Sequence, residues 1–171
     1  DVSAANCRAG DKILLSGNLG DHHACILSAR MEIDNEIQSD CGCLKDITEA
    51  LFGAGIEVRT MRDVTRGGLG TILNEIADTS RCRIELSEES IPVSDEVRGF
   101  ADILGLDPLY MGNEGKMVAV VPAAQAEKAL ELMRGTEHGK DAAIIGEIKE
   151  GNGTFLTTRL GASRVLDVLY G

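Results

Sequence analysis

Met61-Arg62-Asp63-Val64-Thr65-Arg66-Gly67-Gly68-Leu69-Gly70 is the stretch from which the fold is read. It closes a β-like run, Ile56-Glu57-Val58-Arg59-Thr60, and opens into a helix. On that helix Leu69, Ile72, Leu73, Ile76 and Ala77 recur at helical spacing and define one buried face. Asp63 or Thr65 can accept hydrogen bonds from the first N–H groups, which have no partner inside the helix. Gly67 and Gly68 permit positive φ, or let another chain or a ligand come close to the backbone. Such a helix start carries partial positive charge and donors, so it can hold an anion, and Arg66 adds a full charge and a planar fork. The same pattern also fits a plain strand-to-helix turn with an ordinary cap. It is neither a Walker P-loop, which needs Gly-Lys-Ser/Thr, nor the Gly-x-Gly-x-x-Gly dinucleotide turn.

Upstream, Lys12 to Gly17 is a short apolar run that reads as an inner strand, and Asn18 to His22 turns into a helix over 21–30. Residues 32–43 are polar and irregular. Leu44, Ile47 and Leu51 begin a helix that stops at Gly53-Ala54-Gly55. Downstream, Arg83 to Leu86 reads as a strand, and Ser94 caps a helix carrying Val97, Phe100, Ala101 and Leu104. Lys116 to Val121 is a strand, and Ala126, Ala129, Leu130 and Met133 mark a helix. Ala142 to Glu147 reads as a strand, with Thr154 to Thr158 its hairpin partner across Gly151-Asn152-Gly153. The alternation predicts an α+β fold, a mixed β-sheet with packed helices.

The 171 residues suit a single domain, 1–171, with a sizeable core. A formal charge of −11, from 28 acidic and 17 basic residues, repels nucleic acid, and no Lys/Arg stripe interleaved with aromatics offsets it. No apolar run reaches membrane-spanning length and nothing near the start resembles a signal peptide, so a cytoplasmic, non-membrane protein is expected. The odd set of five cysteines is no disulfide framework and fits a reducing compartment. Cys41-Gly42-Cys43 and His22-His23-Ala24-Cys25 read as small or half-buried residues, so no metal site is expected. Because residue 1 is Asp, the chain is expected to be part of a longer one.

Three phrases occur in order: Gly20-Asp21-His22, Arg62-Asp63-Val64-Thr65-Arg66-Gly67-Gly68, and Asn113-Glu114-Gly115-Lys116. With Ile84-Glu85-Leu86-Ser87, Leu104-Gly105-Leu106-Asp107-Pro108 and Gly139-Lys140-Asp141-Ala142-Ala143-Ile144-Ile145-Gly146, they resemble the HypE family of hydrogenase maturation proteins. The resemblance runs from about residue 8 to about residue 168, within the superfamily of aminoimidazole ribonucleotide synthetase, selenophosphate synthetase and thiamine-monophosphate kinase. It implies a three-layer α/β/α C-terminal domain whose missing N-terminal partner forms a homodimer and holds most ATP and Mg²⁺ contacts. It also implies an enzyme that uses ATP to dehydrate an S-carbamoyl terminal cysteine to a thiocyanate, the source of iron cyanide ligands. Its partners would be a HypF-like carbamoyltransferase and a HypC–HypD complex. The sequence ends at Tyr170-Gly171 without the terminal cysteine of that resemblance, so this piece alone is expected to be inactive. His23 and Cys43 stand where the resemblance asks for a smaller residue and a proline.

Under that resemblance Glu114 is the candidate proton acceptor and Lys116 either neutralises phosphate or pairs with Glu114. Arg66, Gly67 and Gly68 would face phosphate or the incoming tail, with Asn113 in the same cleft. Asp63 is read as fixing its loop through backbone hydrogen bonds. Asp21 and His22 either line the cleft or serve as a cap and a partly buried histidine. A non-catalytic docking module, or the equivalent half of a related ATP-dependent synthetase or kinase, are the alternative functions.

Overall fold

The computed structural model describes residues 2–34, 36–38 and 43–167. Their strands are β1 (Lys12–Leu15), β2 (Thr60–Asp63), β3 (Arg83–Ser87), β4 (Met117–Val121), β5 (Ala143–Lys149), β6 (Gly153–Thr157) and β7 (Ser163–Val165). They form one sheet in the order β2-β4-β1-β5-β3-β6-β7, antiparallel throughout except for the β3–β6 pair. The helices are α1 (Asp21–Arg30), α2 (Lys45–Gly53), α3 (Gly68–Ser80), α4 (Asp95–Leu104) and α5 (Ala123–Arg134). None among the described residues is long and apolar enough to cross a membrane.

The period of two along the inner strands sorts side chains to two faces, and each face carries its own core. Ile13 and Leu15 of β1, with Val118 and Val120 of β4, pack against Leu69, Ile72, Leu73 and Ile76 of α3. Leu14, Met117 and Val121 turn the other way, onto Ile47 and Leu51 of α2 and Ala126, Ala129 and Met133 of α5. The result is the expected three-layer α/β/α arrangement on a mixed sheet. Leu73 is fully buried, so truncation to alanine would cost about 2–5 kcal/mol from lost transfer energy and the cavity left behind. A smaller cluster, Ala24, Val97, Phe100, Ala101 and Met111, joins α1 and α4 at one end.

Two expectations are corrected. β5 and β6 are not hairpin partners, because β3 lies between them: Arg83 pairs with Lys149 on one side and with Gly153 on the other. The Gly-Asn-Gly segment therefore crosses over the start of β3. Gly151, at φ 126°, passes where an added Cβ would lie 3.4 Å from the Arg83 Cβ. Arg83 then spreads its guanidinium over the Phe155 ring at 3.8 Å, a cation–π contact that holds the crossing strand. Next, the strand expected from residue 56 begins only at Thr60. Before it, the Val58 N–H turns back onto the Ile56 carbonyl, and ladder bonding starts with the Arg59 N–H to Val120. Beyond β6 the chain returns as β7, paired to β6 from Phe155↔Val165 to Thr157↔Ser163. The Cys41-Gly42 part of the cysteine motif and the Tyr170-Gly171 end lie outside the described residues.

Candidate functional site

The site grows from the turn that feeds β4. The β2–β4 ladder runs from Thr60↔Val120 to Asp63↔Met117 and is extended by a 2.9 Å bond from the Val64 N–H to the Lys116 carbonyl. This rung sets the loop before α3 beside the turn before β4, so close that a Cβ on Gly112 would lie 3.6 Å from the Thr65 carbonyl oxygen. The start of α1 grips the same turn. Asn113 is 1% exposed; its Oδ1 accepts the Gly20 N–H at 3.0 Å and its Nδ2 donates to the Met111 carbonyl at 3.1 Å. Gly20 adopts φ 88°, and any side chain there would strike Val97 at 2.9 Å, which explains a glycine as the N-cap of α1. His23 Nδ1 accepts the Gly112 N–H at 3.3 Å.

Between α1, the loop before α3 and this turn lies a cleft of about 310 Å³, lined by His22, His23, Arg30, Arg66, Asn113 and Glu114, with Ile26 and Leu27 as its apolar wall. The Nε2 of His22 lies 3.8 Å from the Oε1 of Glu114, whose side chain is half exposed. Burial, and then the neighbouring His22 charge, push the His23 imidazole below its ordinary 6.5. That fits its acceptor role: Nδ1 can accept only in the neutral ring with its proton on Nε2.

Lys116 and Asp21 line a second cleft, of about 570 Å³, with Asn18, Lys140 and Asp141. Gly17 makes room for the Lys116 stem, which lies 3.2 Å from where a Cβ would be. Glu114 and Lys116 thus serve different clefts on either side of Gly115.

The Gly-Gly pair has a more structural explanation than its motif suggests. Gly67 is the N-cap of α3 at φ 82° and is exposed, so neither Asp63 nor Thr65 caps that helix. Thr71 Oγ1 instead donates to the Gly67 carbonyl at 2.9 Å, and the Gly68 N–H donates to the Thr65 carbonyl at 3.1 Å. Gly68 is buried at φ 70°, where a Cβ would lie 2.6 Å from the Tyr110 carbonyl carbon; a Cβ at Gly70 would meet the Tyr110 ring at 2.7 Å. The chain that needs this close approach is the protein's own connector. Asp63 is exposed at the end of β2, opposite Met117.

Structure therefore gathers His22, Arg66, Asn113 and Glu114, and places Lys116 and Asp21 next door. Sequence reading missed His23 and Arg30 as lining residues. Their signal was present, since 22, 26 and 30, with 23 and 27, fall four apart on one side of α1. Among the described residues no group of three or more His, Cys, Asp or Glu is gathered as for a metal ion.

The family described as AIR synthase related protein, C-terminal domain, matches residues 8–159. The chain belongs to this family. As an AIR synthase related C-terminal domain it is 45% identical over 174 residues to the carbamoyl dehydratase HypE of Azotobacter vinelandii, covering 99% of this chain and 51% of that protein. A hydrogenase maturation protein HypE solved in complex with ATP superposes with a TM-score of 0.95 at 38% identity, covering 99% of this chain and 54% of its own. HypE from a HypE–HypF complex gives 0.94 at 41% identity, covering 99% and 56%. The chain spans about half the length of the curated relatives it matches.

Proposed function

We propose that this domain is the C-terminal half of a HypE-type carbamoyl dehydratase, a cytoplasmic homodimeric enzyme that converts an S-carbamoyl cysteine to a thiocyanate for the cyanide ligands of a nickel–iron hydrogenase. The observation that carries the reading is the convergence of Glu114, His22 and Arg66 on one cleft, in a chain 45% identical to such a dehydratase along 99% of its length. ATP, when bound, supplies the phosphoryl group that turns the carbamoyl oxygen into a leaving group. The cleft suits that chemistry: Arg66 and Arg30 offer guanidinium donors to anionic oxygens, and Glu114 offers an acceptor. Loss of the oxygen from the carbamoyl group requires the nitrogen to give up its protons. The Glu114 carboxylate takes them one at a time as general base, its half-exposed side chain passing the first to solvent before it takes the second, with the His22 Nε2 3.8 Å away. Lys116, in the adjoining cleft, contributes positive charge along the same approach. Mg²⁺ and most ATP contacts are assigned to the N-terminal half, carbamoyl supply to a HypF-like transferase, and cyano delivery to a HypC–HypD complex.

The test is a mass measurement on the full-length protein supplied with a carbamoyl donor. ATP-dependent loss of one water from the carbamoylated cysteine is the expected result. ATP turnover without that loss would favour a related synthetase or kinase, and no ATP dependence at all would leave a docking module. The isolated domain should bind ATP weakly and catalyse nothing; micromolar binding by calorimetry would contradict the division of labour.

A further inference from the structure

We infer that His23 is a positioning residue: by accepting the Gly112 N–H it holds the Gly112-Asn113-Glu114 turn so that the Glu114 carboxylate faces His22 across the cleft. The inference rests on the reading of Glu114 as proton acceptor. Asn113 and His23 each fasten this turn to α1, and they do so differently. Asn113 spans Gly20 and Met111 from a fully buried position, which anchors the base of the turn. Gly112, on the preceding residue, has no side chain of its own to anchor it and is only partly buried, so its N–H is its handle. His23 takes that handle at 3.3 Å while its neighbour His22 meets the carboxylate two residues further on. One helical turn thus meets both the backbone before the base and its side chain.

The contact exists only while His23 is neutral, because a protonated imidazole has no acceptor. Burial, and then His22, favour the neutral ring, and the Arg30 and Arg66 guanidinium groups line the same cleft. Glu114 is the opposing charge there. Acidification should therefore release Gly112 and let Glu114 drift.

The experiment compares His23→Phe with His23→Asn in the full-length protein, by single-turnover dehydration and ATP titration. Phenylalanine keeps the bulk but removes the acceptor; the asparagine oxygen takes the place of Nδ1 and does not titrate. Phe should lower the dehydration rate about 10- to 100-fold, as expected for a misplaced base, with the ATP KM nearly unchanged. Asn should restore most of the rate and flatten the acid limb of the pH profile. Wild-type rate in the Phe variant, or equal impairment in both, overturns the inference. Should the Phe variant not fold, the Gly112 amide resonance of the unmutated protein decides, since it must move as the His23 ring takes up its proton, which burial shifts to below the ordinary 6.5. A Gly112 resonance that stays still while the His23 ring titrates also overturns it. A separate Glu114→Gln variant at full rate would sink the proton-acceptor reading, whereas the Gly112 titration is independent of chemistry and tests His23 alone.

Discussion

The Val64 N–H donates to the Lys116 carbonyl at 2.9 Å, one rung beyond the last strand pair of β2 and β4. That bond makes a site out of two phrases far apart in the chain. It sets Arg66 and the α3 N-terminus against the turn carrying Glu114, and α1 closes the third side through Asn113 and His23.

Glu114→Gln keeps the size of a half-exposed side chain and removes its charge. In full-length enzyme it should leave folding and ATP binding intact and slow dehydration by about 10²- to 10⁴-fold, the range for loss of a general base. Single-turnover rates check this, and an unchanged rate would show that the geometry is right and the proton role wrong.

Gly67→Ala and Gly68→Ala should separate sharply, although the residues are adjacent and both have positive φ. Gly67 is exposed and the atoms nearest its added Cβ, from 2.7 Å, belong to the Thr71 side chain, which can turn away, so backbone strain of about 1–2 kcal/mol is expected. Gly68 faces the backbone of Leu109 and Tyr110 at 2.6–2.7 Å, which cannot yield without moving the connector. Overpacking of about 1–3 kcal/mol adds to the strain there. Denaturant midpoints of the two variants should rank Gly68→Ala well below Gly67→Ala.

Glu147 is held below its ordinary 4.5 by hydrogen bonds from Lys149 and from Lys12. The native state therefore binds this proton less readily than the unfolded chain. Its contribution to stability is present above about pH 4.5 and is lost as pH falls through the lower native value. The carboxylate is one-third exposed, so solvent screening keeps the contribution below about 1 kcal/mol. Urea unfolding of Glu147→Gln against the unmutated protein should show a small gap near neutral pH that closes in acid.

Thiol chemistry should divide by environment. Burial, followed by nearby Cys7 and Asp11, pushes the Cys82 thiol up to about 11, and burial also raises Cys7. Cys43 is exposed. Alkylation of the native protein near pH 8 should mark Cys43 quickly and reach Cys7 and Cys82 only after unfolding, as peptide mass mapping would show. Early labelling of Cys82 would mean that the α3–β3 corner opens.

Local signals in the chain determined most of the elements. The stripe from Leu69 to Ala77 predicts α3, the apolar run from Met117 to Val121 predicts β4, and Ser94 predicts the start of α4, where its side chain does accept the Val97 N–H at 3.2 Å. These depend on periods and caps that span a few residues, so sequence order carries them. The ordered phrases around Asp21, Arg66 and Glu114 likewise pointed to the family without any contact being known.

What lay beyond the sequence was every relation set by a third element. The Gly151-Asn152-Gly153 turn looks like a hairpin because the insertion of β3 between β5 and β6 leaves no local trace. Gly67 and Gly68 look like a ligand loop because the Tyr110 backbone that occupies the space beside Gly68 arrives from a distant connector. Asn113 reads as a binding residue, yet both ends of its amide are taken by the backbone of Gly20 and Met111. The spacing of His23 along α1 puts it on the cleft side, but its partner, the Gly112 N–H, is brought to it by packing alone. Periodicity and capping act within one segment, whereas close approach and hydrogen-bond partnership belong to pairs of segments, and only the folded sheet chooses those pairs.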